Sequence, residues 1–328
     1  MLKTTSELIE YLKLGSSSRK IGYLKPLINS ILKCGDKSDA DAILSHYLED
    51  PFESDYSYLL PIFKRFGDNH SAEKIFNVYQ ENLKDNAEIL ELLGDLKYEP
   101  IKPILAELVF KNSELDYTLS RHSVLGLLSF NCNEYQNQIE TAIEKCYGKN
   151  LFSEFVPALV CKLKNKKTVL EKLYILGNEF ASTDCNGGII LGFSLCGEEG
   201  REYFKQTIFN PNWETGYRGT GTTVCSYMGL KNLGTTFREL YEDIKQITDK
   251  GRLKYSLNVF FALLEMKIID FEINREETFA DIHKFLFQST KNNLLNLAER
   301  IDNLKKAYEM QKLIELKMNE EVILRNYL

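Results

Sequence analysis

The chain has 328 residues, 44% hydrophobic and 27% charged, a globular composition with material for one large domain or two medium ones. Lys and Arg total 41 against 47 Asp and Glu, a net charge of -6, so the chain as a whole carries no cationic excess with which to hold a phosphate backbone. No apolar run approaches the roughly 18 residues of a spanning helix, and Glu7, Glu10 and Lys13 interrupt the apolar positions of the N-terminus, which excludes a signal peptide or membrane segment there.

A soluble, cytoplasmic protein is the expectation. The seven cysteines (Cys34, Cys132, Cys146, Cys161, Cys185, Cys196 and Cys225) are odd in number and form no CxxC pair. They read as reduced thiols packing as small hydrophobes in a reducing compartment.

Residues 1–54 give short helices separated by GSSSRK and KCGDKSDAD, the second offering Asp36, Ser38 or Asp39 as an N-cap. They are expected to form an N-terminal cap. From residue 55 to 290 a small residue recurs inside apolar runs, at Gly94, Gly126, Cys161, Gly192, Gly229 and Ala262. The spacings of about 32, 35, 31, 37 and 33 residues fit two short helices and two turns, the mark of a helical repeat array.

The clearest hairpin is EILELLGDLKYEPIKPILAELVF, in which Ile89, Leu92, Leu93 and Leu96 form one stripe. Glu99-Pro100 breaks the chain, and Ile101, Ile104, Leu105 and Leu108 form the second stripe, with Pro103 tolerable in a first turn. The same order recurs in LSRHSVLGLLSF with EYQNQIETAIEKCY, FSEFVPALVCKLK with KTVLEKLYILGNEF, GGIILGFSLC with EEGREYFKQTIF, TTVCSYMGLKNL with TTFRELYEDI, and LKYSLNVFFALLEM with TFADIHKFLF. Glycine inside a helix costs about 1 kcal/mol relative to alanine, so its return at matching places implies close approach of neighbouring first helices. Residues 182–234 hold ten of the nineteen glycines, which predicts a stretch either looser or more tightly turned than the rest.

ELLGDLKYEPIKPILAEL resembles a HEAT-type repeat, and SRHSVLGLLSF is similar to the arginine-containing first helix of that family. A tetratricopeptide unit would also place Gly94, Ala106 and Phe110 at its spacing. The positions equivalent to Ala106 in the neighbours, however, are the large residues Gln138, Leu173, Phe204 and Tyr241. The resemblance implies an all-α, right-handed α-solenoid of HEAT-like hairpins with N- and C-terminal capping helices. Residues 291–328 supply the C-terminal cap, a long helix in which Leu294, Leu297, Ile301, Leu304 and Tyr308 keep heptad spacing, so it is also a candidate homodimer seam.

Chemistry-bearing motifs are sparse. No HExxH, Walker phosphate loop, GxGxxG or GxSxG occurs, and no cofactor or metal is expected. Of the four histidines, His122 and His283 lie in amphipathic helices and His46 and His70 near helix starts, all read as surface or half-buried helix residues. CNGG at 185–188 reads as a turn entering a helix that Asp184 could cap. The most unusual segment is IFNPNWETGYRGTGTT, 208–223, which carries the only tryptophan. Phe209, Trp213, Tyr217 and Arg218 are its candidate partner-binding residues, because Trp, Tyr and Arg dominate binding hot spots. The alternative is that Trp213 tucks under the loop as a satellite core.

These features leave two functions. The first is a non-enzymatic scaffold that grips a protein partner through its concave face or the 208–223 loop, and in its narrowest form is an inhibitor or immunity protein masking a basic enzyme. The second, which the fold resemblance makes conceivable, is a HEAT-like DNA-binding protein or alkylpurine DNA glycosylase. Trp213, Glu214, Tyr217 and Arg218 are the nearest approach to its site, and a single tryptophan and the negative charge count against it.

Overall fold

A computed structural model describes residues 1–14, 21–51, 56–111, 117–146, 155–179, 186–213 and 220–269. Among them every regular element is helical and no strand occurs. The C-terminal cap with its heptads, His283, Asp184, Tyr217 and Arg218 lie outside the described residues.

The N-terminal elements are α1 (Lys3–Leu12), α2 (Ile21–Cys34) and α3 (Lys37–Tyr47). Asp36 is the residue that caps α3. It accepts from the amides of Ser38 and Asp39, while the Asp39 carboxylate returns to the Asp36 amide at 3.1 Å. The fully buried Asp39 also receives the Leu2 amide at 2.6 Å and the Thr5 hydroxyl at 2.7 Å, so one capping box both starts α3 and fixes the chain terminus against it.

Six hairpins come next, beginning with α4 (Leu60–Phe66) and α5 (Asn69–Tyr79), α6 (Ala87–Asp95) and α7 (Lys102–Lys111), and α8 (Tyr117–Leu127) and α9 (Gln136–Cys146). A 3-10 helix Val156–Lys162 then pairs with α10 (Lys167–Glu179), α11 (Asn186–Leu195) with α12 (Glu198–Ile208), and α13 (Thr220–Leu233) with α14 (Phe237–Lys245), before α15 (Lys250–Ile269). Within the described part of FSEFVPALVCKLK the helix is 3-10 and not α. Pro157 stands at its start and Leu163 ends it in extended backbone.

Contacts give these hairpins an order. α2 packs on α4, α4 on α6, α6 on α8, α8 on the 156–162 helix, that helix on α11, α11 on α13 and α13 on α15. First helices thus touch first helices along the described chain, and a single continuous core runs beneath them.

The small residues explain how closely this row is drawn together. A Cβ built on Gly94 would stand 2.4 Å from the Gly126 Cα, and one built on Gly126 would stand 2.9 Å from the Leu90 oxygen. No side chain fits between these backbones. The glycine-rich stretch is likewise tight, not loose: residues 186–194 of α11 are all buried, between the 156–162 helix and α13. Gly197 and Gly234 take φ of 60° and 61° at its turns, where a Cβ is disfavoured.

Lysines stitch successive hairpins. Lys37 reaches Asp68 at 3.0 Å, Lys64 reaches Asp95 at 2.7 Å, Lys102 reaches Glu134 at 2.5 Å, Lys166 reaches Glu199 at 3.6 Å and Lys205 reaches Asp243 at 3.0 Å. In each pair the carboxylate belongs to the hairpin one further along the chain. With at least one partner of each pair open to solvent, such pairs contribute about 0–1 kcal/mol each, so they set register more than they stabilise.

Candidate functional site

Phe209 and Trp213 do not present a binding surface. Trp213 is fully buried and Phe209 is 4% exposed. The reason lies one hairpin earlier, at Gly177-Asn178 of α10: a Cβ on Gly177 would stand 2.1 Å from the indole, so only glycine leaves a seat for the ring. The Asn178 Oδ1 accepts the indole N–H at 3.0 Å and the Asn210 amide at 3.2 Å. Tyr174 stacks on the ring at 6.1 Å and Phe193 packs at the same distance. Trp213 is a wedge between hairpins, with its one polar atom satisfied. Trp213 and Phe209 belong to the continuous main core, so Trp213 is core as the alternative had it, though not a satellite of that core.

Three of the cysteines are not activated thiolates. Cys132, Cys161 and Cys196 fall close to the ends of successive first helices. Burial lifts the Cys132 thiol above its ordinary value, and it pushes Cys161 up to about 11 and Cys196 up to about 12. Nucleophilic and metal-binding thiols need the opposite shift. No group of His, Cys, Asp and Glu among the described residues is arranged to hold a metal ion.

The charged groups that do come together lie along α4, α6 and α8. Glu91 and Asp95 are four residues apart and share a face of α6. The Nδ1 of His122, on α8, stands 2.6 Å from the Glu91 carboxylate. Asp95 takes the Lys64 ammonium from α4 at 2.7 Å and the Ser129 hydroxyl at 3.4 Å. These groups are half-buried, with His122, Glu91 and Asp95 side chains 15%, 26% and 19% exposed, while Lys64 is open at 54%. Burial raises the Asp95 carboxyl above its ordinary value, and the Lys64 ammonium opposes that rise without cancelling it. Glu88, one turn before Glu91, is exposed.

The seam ends at Arg121. Its guanidinium lies over the Phe155 ring, 5.3 Å from the centroid, and its Nε is buried without a hydrogen-bond partner. The result is a three-helix strip of mixed charge on the row of first helices, with its half-buried carboxylates held by a lysine and a histidine.

The sequence pattern gives these residues no binding role: it places His122 in an amphipathic helix, and Asp95 and Arg121 in the segments that resemble a HEAT-type repeat. Glu91 and His122 are separated by 31 residues, so no local motif joins them, and the signal that could have done so is their matching place near Gly94 and Gly126. His46, expected near a helix start, lies instead in the last turn of α3, beside Glu49 at 3.2 Å. His70 does stand at the start of α5.

Set against known proteins, the chain matches no protein-family model, no curated protein and no solved structure. Among the described residues no helix is long and apolar enough to cross a membrane.

Proposed function

We propose that the chain is a right-handed α-solenoid of HEAT-like hairpins and that it works as a non-enzymatic scaffold holding a protein partner on its row of first helices. The order of contacts, first helix on first helix, supports the solenoid. The observation that carries the function is the mixed-charge seam. A groove that holds DNA needs a run of cations left free for phosphates, whereas here Glu88, Glu91 and Asp95 lie on the same helix, with Lys64 and the His122 imidazole engaged by two of them. Fixed charges of both signs suit the matched polar rim of a protein interface, where they set orientation and partner choice.

The test is to isolate the tagged full-length chain from its host with and without nuclease. A protein held in fixed ratio through nuclease treatment is the expected result. Nucleic acid that must be present for retention would overturn the reading in favour of the DNA-binding one.

A further inference from the structure

We propose that the turn of the fourth hairpin, residues 162–167, is a ridge that docks an acidic segment of a protein, a contact that goes beyond the seam of first helices and does not rest on it. The turn holds Lys162, Lys164, Lys166 and Lys167 and no acid, on a chain whose net charge is -6. Among the described residues Lys162, Lys164 and Lys167 pair with no carboxylate, and Lys166 reaches Glu199 only at 3.6 Å. The preceding hairpin is built to match. Across every other junction, from the N-terminal elements to the sixth hairpin, a lysine takes a carboxylate. Lys102, the first residue of α7, takes Glu134, but the first residue of α9 is Gln136. Its amide donates to the Lys162 oxygen and accepts from the Lys164 amide, each at 2.9 Å. The one neutral rung of the ladder thus faces the turn that offers no acid, and it holds that turn by its backbone, leaving the ammonium groups to solvent.

The ridge has a fixed shape. Leu163 is buried in extended backbone, Gln136 holds the groups on either side of it, and the Lys166 oxygen accepts the Leu170 amide at 2.8 Å as α10 begins. The lysines therefore stand on an ordered turn, which needs little further ordering when a partner binds. Lys102 adds to the same field from two hairpins earlier: burial raises the Cys132 thiol and the Lys162 and Lys102 ammonium groups both oppose that rise, as Lys162 and Lys166 do at Cys161. The width of the ridge selects the partner. Exposed Glu134 lies on the hairpin before it and exposed Glu198 and Glu199 on the hairpin after. A DNA duplex carries a phosphate about every 1.7 Å along its axis and would run onto those acids, whereas a short run of Glu or Asp places its carboxylates on the lysines alone.

The experiment follows the fluorescence anisotropy of labelled, end-blocked pentaglutamate on the full-length chain at low salt, beside pentaglutamine and a short DNA duplex. The triple variant Lys162→Gln, Lys164→Gln, Lys167→Gln removes three ammonium groups and keeps both the Lys166 pair and the backbone groups that Gln136 holds. A second triple variant, Lys74→Gln, Lys84→Gln, Lys254→Gln, removes the same charge from exposed lysines elsewhere. Saturable binding of pentaglutamate and not of pentaglutamine is expected, weakened about tenfold by the first triple and less than about twofold by the second. If the first triple does not fold, as read by thermal unfolding, Lys164→Gln with Lys167→Gln, both at exposed positions, takes its place. No binding of pentaglutamate, or equal weakening by the two triples, overturns the assignment, and a duplex bound more tightly than pentaglutamate overturns the choice of an acidic protein.

Discussion

At the residue scale, Trp213 shows how a side chain suited to a hot spot is equally suited to a core. Its area and its single N–H donor serve either purpose, and Gly177 with Asn178 decides between them by offering a seat and an acceptor. Trp213→Ala is therefore expected to destabilise the chain by roughly 3–5 kcal/mol in urea unfolding; an unchanged midpoint would restore the exposed-loop reading. The thiols give a second test. Cys161 and Cys196 keep their protons to about 11 and about 12 in the fold, against an ordinary 9.0. Unfolded, they would release those protons earlier. Their contribution is thus fully present below about pH 9 and is lost as pH rises through the folded values. In the native state Cys132, Cys161 and Cys196 should resist iodoacetamide at about pH 8 and react once urea is added, as read by peptide mass spectrometry. Rapid native labelling of Cys132 and Cys196 would contradict their burial.

At the element scale, the close crossing of α6 and α8 makes the strongest demand on sequence. Gly94→Ala places a methyl 2.4 Å from the Gly126 backbone, which forces the helices apart at a cost of about 1–3 kcal/mol. Gly251→Ala in α15 is the matched control. Its Cβ would meet only the Asp249 carboxylate at 3.4 Å, and the change should stabilise by up to about 0.5 kcal/mol because the unfolded chain loses freedom. Equal losses from both, measured by thermal or urea unfolding, would show that helix spacing does not explain the recurring small residue. This part of the fold was legible in the sequence because Gly94 and Gly126 lie in matching apolar runs, and the hairpin break at Glu99-Pro100 stems from proline chemistry. The 156–162 segment was less legible, since its apolar pattern does not distinguish a 3-10 turn from an α-helix.

At the scale of the whole molecule, the helices were legible and the seam was not. Apolar periodicity is local, so each stripe declares its own helix. Lys64 with Asp95, and Glu91 with His122, are joined only when one hairpin is laid on the next. The measurement that tests the central claim most directly is position-specific photo-crosslinking in the native host. The crosslinker would be placed at Glu88 on the seam and, for comparison, at exposed Lys172 on α10. Capture of one protein from position 88 and none from position 172, unchanged by nuclease, is the predicted result. Nucleic-acid adducts at position 88, or protein adducts only at position 172, would contradict it.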